Sequence, residues 1–290
     1  MPLLKDSPSA AVQFGLHPID LTEEQFEKIS EMVKSLCGIN LHTGKKELVK
    51  ARLGKRLRSL GIYDLDDYLA HVARDAGGAE LTAMLDALST NLTHFFRESA
   101  HFDYLRSAVV PVLLKRPAPH SIRIWSAGCS SGEEPYSIAI TLAECLPNLP
   151  RIDLRILATD LSTRVLAHAR EALYPAERLR DVPLPIIARW FSAGEGPSGN
   201  AYRVTDALRR LVTFSRLNLM APWPMRGPFD VIFCRNVMIY FDKPNQERLV
   251  HRFWDLLAPG GHLFIGHSES LAGVKHTYRY IRPTIYQKQP

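Results

Sequence analysis

Cysteine is scarce in this chain of 290 residues. Its four copies, Cys37, Cys129, Cys145 and Cys234, stand apart, with no C-x-x-C pair and no histidine pair at ligand spacing beside them. That argues against a disulfide framework and a zinc module, and the thiols are expected to be reduced. Long apolar runs are also missing. A bilayer span needs roughly 20 apolar residues, whereas residues 108–114 are interrupted by Pro111 and residues 229–241 contain Asp230 and Arg235. Residues 1–20 hold no apolar stretch of the kind a secretory signal requires, so the expected compartment is the cytoplasm, without membrane insertion. Internal repeats and low-complexity tracts are absent. Hydrophobic residues at 46% and charged residues at 23% sit near globular averages, which excludes a disordered or fibrous chain.

What is present divides the chain. Residues 1–19 are expected to be a flexible N-terminus, and residues 20–88 a small helical bundle. Thr22 or Asp20 can cap a first helix whose inward face carries Phe26, Ile29, Val33 and Leu36, with Gly38 at its stop. A second helix from about Thr43 turns Leu48, Leu53 and Leu57 inward. Its other faces are crowded by Lys45, Lys46, Lys50, Arg52, Lys55, Arg56 and Arg58, an excess over Glu47 equal to the net charge of +6 of the whole chain. Residues 64–73 and 79–88 read as further helices, and residues 89–114 as a linker with a helix. Beyond it, over 115–290, apolar runs of strand length alternate with helical segments, the pattern of a doubly wound parallel sheet. Residues 122–126, 154–159, 231–234 and 263–266 are the expected strands, and residues 278–286 a closing hairpin. Short strands at 189–191, 202–204 and 211–214 suggest an antiparallel β-subdomain inserted over about 178–216.

Three strand ends carry candidate chemistry. The first strand runs into Gly128-Cys129-Ser130-Ser131-Gly132-Glu133-Glu134, a small-residue loop opening a helix. It lacks G-x-G-x-x-G and the lysine of a phosphate loop, and its acidic helix start repels a pyrophosphate while suiting a cation. A plain tight turn is the alternative. The second strand ends in Asp160, which can accept both hydroxyls of a ribose or cap a helix beginning at Ser162. The third ends in Arg235 and Asn236, where polar side chains follow a buried run. A nucleoside site without phosphate chemistry, with acids facing a cation, fits S-adenosylmethionine better than NAD or ATP. Between the domains stands Asn91-Leu92-Thr93-His94-Phe95-Phe96-Arg97. Eleven histidines include His94, His101, His262 and His267, but none has H-E-x-x-H or similar spacing, and no catalytic metal is expected.

Residues 91–97, Gly132 through Ser137, Ala158-Thr159-Asp160, Asn218-Leu219, residues 234–242 and Gly266-His267-Ser268-Glu269 together resemble the chemotaxis-receptor glutamate methyltransferases, the CheR-like family. The resemblance spans about residues 22–286. It implies an α/β fold: a Rossmann-like S-adenosylmethionine-dependent methyltransferase domain with an inserted antiparallel β-subdomain, preceded by a small all-helical domain. It departs mildly from the family pattern at Leu92, Cys129 and Ser162. Carried over position by position, Glu133 faces the methionine amine and Asp160 the ribose, Asn218 and Leu219 meet the adenine edge, and Asn91 and Thr93 close the pocket from the interdomain side. Arg97 and Tyr240 flank the transferred methyl as the catalytic pair, with Arg235 and Asn236 beside them. The implied partners are the cytoplasmic domains of methyl-accepting chemotaxis receptors, whose acidic helices suit the basic helix, and a receptor C-terminal tail on the β-subdomain. The glycines Gly194, Gly196 and Gly199 leave room for such a strand.

Two other readings compete. The basic helix could lie on phosphates of a nucleic-acid substrate, although the chain has neither an Asn/Asp-Pro-Pro-Tyr motif for base amines nor a Pro-Cys nucleophile for cytosine. A non-catalytic cofactor or receptor module is the second, opposed by the intact Arg97 and Tyr240. A solvated face is the bland reading of the basic run.

Overall fold

The computed structural model describes residues 20–117, 121–146, 152–196 and 199–289. Residues 1–19, expected to be flexible, lie outside these. Thr22 and Gln25 start α1 (Glu23–Cys37) by capping each other, the Thr22 Oγ1 accepting from Gln25 N and the Gln25 Oε1 accepting from Thr22 N. Phe26, Ile29, Val33 and Cys37 are buried on its inner face, whereas Leu36, expected inward, is exposed. One residue turns a helix by roughly 100°, and Cys37 rather than Leu36 completes the four-residue spacing from Val33. The same slip occurs in α2 (Lys46–Leu60), which follows a 3-10 turn at Thr43–Lys45. There Val49, Leu53 and Leu57 share one stripe and Leu48 lies outside it, 40% exposed. With α3 (Leu65–Arg74) and α4 (Ala79–Leu88) these helices enclose one core.

The chain then passes through α5 (Ala100–Tyr104), a π-helical turn at Leu105–Val109 and α6 (Val110–Leu114). The α/β domain follows as β1 (Ser121–Ala127), α7 (Glu133–Cys145), β2 (Asp153–Asp160), α8 (Thr163–Glu171), β3 (Leu173–Pro175), α9 (Leu184–Trp190), β4 (Phe191–Gly196), β5 (Gly199–Val204), α10 (Asp206–Arg209), β6 (Val212–Arg216), β7 (Phe229–Cys234), α11 (Lys243–Leu256), β8 (Leu257–Ile265), β9 (Arg279–Arg282) and β10 (Ile285–Gln287). Seven strands form a sheet in the order β6-β2-β1-β7-β8-β10-β9. The first five run parallel, and β10 and β9 close the edge antiparallel. Because β1 lies between β2 and β7, the crossovers leave it in opposite directions, and a crevice opens at the carboxyl ends of these strands. Alternate residues feed two cores: Ile124 and Phe233 on one face, Trp125 and Ile232 on the other.

The inserted sheet differs in membership from the expectation. It has the order β3-β5-β4. Arg189 and Trp190, expected as strand, close α9. The expected strand at 211–214 is instead β6, which pairs in parallel with β2 from Ile156↔Val212 to Asp160↔Arg216. Val212 and Phe214 cover the main core, and the Phe214 ring meets Tyr136 edge-on at 5.7 Å. Short alternating runs look alike in either sheet, and the connection rather than the run decides the partner.

Candidate functional site

A cavity lies where the helical domain meets the carboxyl ends of β1, β2 and β7. Nine of the ten predicted site residues line it: Asn91, Thr93 and Arg97 from the interdomain segment, Asp160 at the end of β2, Asn218 and Leu219 after β6, and Arg235, Asn236 and Tyr240 after β7. Glu133 does not line it. Its carboxylate is buried under Ser131, whose Oγ donates to it at 2.7 Å, and lies 3.5 Å from Arg178. The next residue, Glu134, reaches the cavity instead.

Asp160 is not the helix cap. Ser162 caps α8 through Val165 N, while Asp160 accepts Ser130 N at 2.8 Å and Ser162 N at 2.9 Å. It thereby ties the β1 loop to the β2 end, and burial raises its pKa. Gly128 and Gly132 have φ of +86° and +97°, as a tight turn requires. Their free space serves packing more than ligand approach, since a Cβ on Gly128 would collide with Val237 and one on Gly132 would stand 2.7 Å from the Tyr174 hydroxyl.

The helical domain is part of this wall. Asn218 Nδ2 donates to Leu36 O at 2.6 Å and Asn40 N to Tyr240 O at 2.8 Å, and Asp86 of α4 accepts Thr163 N at 3.0 Å at the start of α8. Asn91 O accepts from Ser130 Oγ at 3.0 Å. Arg97 Nη1 donates to Leu92 O at 2.8 Å. The Lys45 ammonium sits over the Tyr240 ring, 5.0 Å from its centroid.

Two carboxylates beside the cavity, Glu98 and Glu269, escaped the sequence reading of the site, and a third, Glu134, was read only as part of an acidic helix start. Glu98 accepts Arg235 Nη2 at 2.9 Å, Asn236 Nδ2 at 3.3 Å and His267 N at 3.1 Å. Burial pushes its pKa up, but the charge of Arg235 and the amide of His267 outweigh that and hold it below its ordinary value. Glu134 accepts Ser126 Oγ at 2.7 Å and Arg235 Nη1 at 3.1 Å, and burial raises its pKa despite that partner. Glu269 accepts four backbone N–H groups, those of Asn236, Val237, Ile239 and Gly266. Glu269 stood inside a quoted motif, but nothing local in the sequence points to the turn it holds.

The basic helix is less free than its composition implies. Arg52 donates to Leu88 O at 2.7 Å and Ser89 O at 2.9 Å, and lines the cavity. Arg56 is paired with buried Glu80, which also accepts from Tyr68 Oη at 2.8 Å. These two arginines, expected to face a partner, hold the bundle together. Lys46 pairs with Glu23, and Lys50 stands 3.9 Å from exposed Asp20. Lys55 and Arg58 are exposed.

The donor set suits a nucleoside carrying a positive charge. Asp160 offers carboxylate oxygens for ribose, Leu161, Leu217 and Leu219 offer apolar walls for a base, and Glu134, paired with Arg235, is a second carboxylate in the lining. Comparison with known proteins agrees. The model of the CheR methyltransferase SAM binding domain matches residues 91–287, and that of the CheR methyltransferase all-alpha domain matches residues 24–89. A probable chemotaxis protein methyltransferase of Rhizobium etli is 46% identical over 258 residues, covering 88% of this chain and 96% of the relative. Chemotaxis protein methyltransferase 2 of Pseudomonas aeruginosa is 44% identical over 274 residues, 94% and 96% of the two chains. The chemotaxis protein methyltransferase of Klebsiella aerogenes is 43% identical over 283 residues, 97% and 95%. The fold and the cavity define an S-adenosylmethionine-dependent methyltransferase with a helical domain at its mouth. The chain belongs to the CheR methyltransferase family, and S-adenosylmethionine is its cofactor. Among the described residues no helix is long and apolar enough to cross a membrane.

Proposed function

We propose that this methyltransferase esterifies glutamate side chains in the cytoplasmic domains of methyl-accepting chemotaxis receptors, acting in the cytoplasm. The observation that carries the reading is a cavity lined by two largely buried carboxylates, Glu134 and Asp160, and by the partly exposed cations Lys45, Arg52 and Arg97. The carboxylates suit a cationic methyl donor, and the cations suit an anionic acceptor. When bound, S-adenosylmethionine supplies an electrophilic methyl group on a sulfonium.

The chain's own residues then need little acid–base chemistry. A glutamate with a pKa near ~4.3 is ionised at neutral pH, so its oxygen attacks without a general base. Arg97 draws the carboxylate in and Tyr240 orients it toward the methyl, with Arg235 and Asn236 beside them. Asp160 holds the ribose, Asn218 and Leu219 border the adenine, Asn91 and Thr93 close the interdomain side, and Glu133 acts on the methionine amine from behind Ser131. Catalysis here is positioning and exclusion of water. The exposed cations Lys55 and Arg58, with Lys50, suit an acidic receptor helix. The three-stranded sheet adds a second contact. Its edge strand β4 presents exposed Ser192 and Ala193, and an extended receptor tail could add there as a strand. Leu173 and Ala201 take the space above Gly194 and Gly196, and only Gly199 is open, so the support comes from the strand edge and not from those two glycines.

Peptide mass spectrometry of a receptor cytoplasmic fragment after incubation with enzyme and donor tests this reading. Methyl esters on glutamates are expected. Methyl groups on other side chains, or none, would contradict it.

A further inference from the structure

We propose that Glu98, His101 and His267 form a binding site for a divalent transition metal of the zinc class beside the methyl-donor cavity. The Oε2 of Glu98 lies 3.5 Å from His101 Nδ1 and 4.0 Å from His267 Nε2. All three ligand atoms fall within 4.8 Å of one another. Zinc bonds of ~2.0–2.2 Å place neighbouring ligands of a tetrahedral site about 3.4 Å apart. Closing the cluster therefore requires small side-chain movements, chiefly of His267, whose side chain is 54% exposed.

The surroundings of His101 leave one ring nitrogen for a cation. Its Nε2 meets the Thr284 hydroxyl at 2.7 Å, while its Nδ1 is buried without a hydrogen-bond partner and lies 3.5 Å from Glu98 Oε2. In the tautomer that carries the ring proton on Nε2, Nδ1 is the ligating atom, and a cation between it and the carboxylate is held by both. A histidine that donates one nitrogen to an oxygen and ligates through the other is the usual geometry of a metal-bound imidazole. Thr284 holds that orientation at φ +64°, a conformation uncommon for a β-branched residue. Two imidazoles and one carboxylate suit zinc and its neighbours in the first transition row better than magnesium or calcium.

Arg235 gives the site a consequence. Its Nη2 donates to the same Glu98 Oε2, and its side chain lines the cavity. A dication on that oxygen competes with the guanidinium, so occupancy loosens Arg235 and weakens methyl-donor binding. The cluster is thereby an inhibitory site, open to solvent through His267.

The test titrates the metal-free protein with zinc by calorimetry and with cobalt by visible absorption, for wild type, Glu98→Gln and His267→Gln. The exposed position of His267 keeps the second variant folded. One equivalent is expected in wild type, bound about tenfold more weakly in each variant, and a zinc concentration near the wild-type dissociation constant should reduce S-adenosylhomocysteine affinity in wild type more than in either variant. No saturable binding, or equal affinity in His267→Gln, would overturn the site. Unchanged S-adenosylhomocysteine affinity at saturating zinc would overturn the inhibition.

Discussion

The Glu269 carboxylate accepts the backbone N–H of Asn236 at 2.9 Å, and Asn236 stands at φ +58°. The same carboxylate accepts Val237 and Ile239, so one buried side chain fixes the turn from β7 that presents Asn236 and Tyr240. Gly266 must lack a side chain because a Cβ there would stand 2.7 Å from Asn236 N. Glu269→Gln keeps the size but replaces one acceptor oxygen with a donor. It is expected to cost roughly 1–3 kcal/mol of stability, read by denaturant unfolding. Turnover should fall about 100-fold through misplacement of the turn, while cofactor affinity changes little.

Asp160 has the complementary signature. Its two oxygens join the loops after β1 and β2 and face the cavity. Asp160→Asn should weaken S-adenosylhomocysteine binding about tenfold, the loss of one charge-assisted hydrogen bond, with turnover at saturating donor largely kept. Calorimetry with steady-state kinetics checks the split.

Acid stability follows from two buried histidines. Burial lowers His101 to about 3 and His262 to about 4. The unfolded chain takes up these protons near pH ~6.5 and the folded chain does not, so protonation favours unfolding as pH drops. Stability is fully present above pH ~6.5 and declines by about 1.4 kcal/mol per pH unit per histidine down to the folded values. Unfolding free energies measured between pH 7 and pH 5 should show this slope, and His101→Asn should reduce it.

The basic helix separates into two groups. Arg56→Ala strands the buried Glu80 carboxylate and is expected to destabilise the protein by roughly 3 kcal/mol or less, since the arginine is partly exposed. Neutralising Lys55 and Arg58 should leave stability unchanged and slow receptor methylation at low salt, with the difference fading as salt rises. Rates across a salt series, paired with thermal melts, check both.

Much of this site was legible because parallel sheets send polar residues at strand ends into one crevice, and Asp160, Arg235 and Asn236 follow buried runs directly. Helix faces slipped by one residue at Leu36 and Leu48, where apolar neighbours competed for the same stripe. Arg52 and Arg56 read as free charges because their partners, the Leu88 carbonyl and Glu80, are set by tertiary packing. Glu98 and Glu269 were illegible for the same reason. They bind backbone and side chains far away in sequence, and no period or spacing records such a contact. Strand β6 was assigned to the wrong sheet because its alternation fits either.

The most direct test of the account is transfer of tritiated methyl from S-adenosylmethionine to a receptor cytoplasmic domain, followed by mild base. Label released as volatile methanol, and lost when the acceptor glutamates are replaced by alanine, is the predicted result. Label that survives base, or that reaches the alanine-substituted receptor equally well, would contradict a carboxylate acceptor.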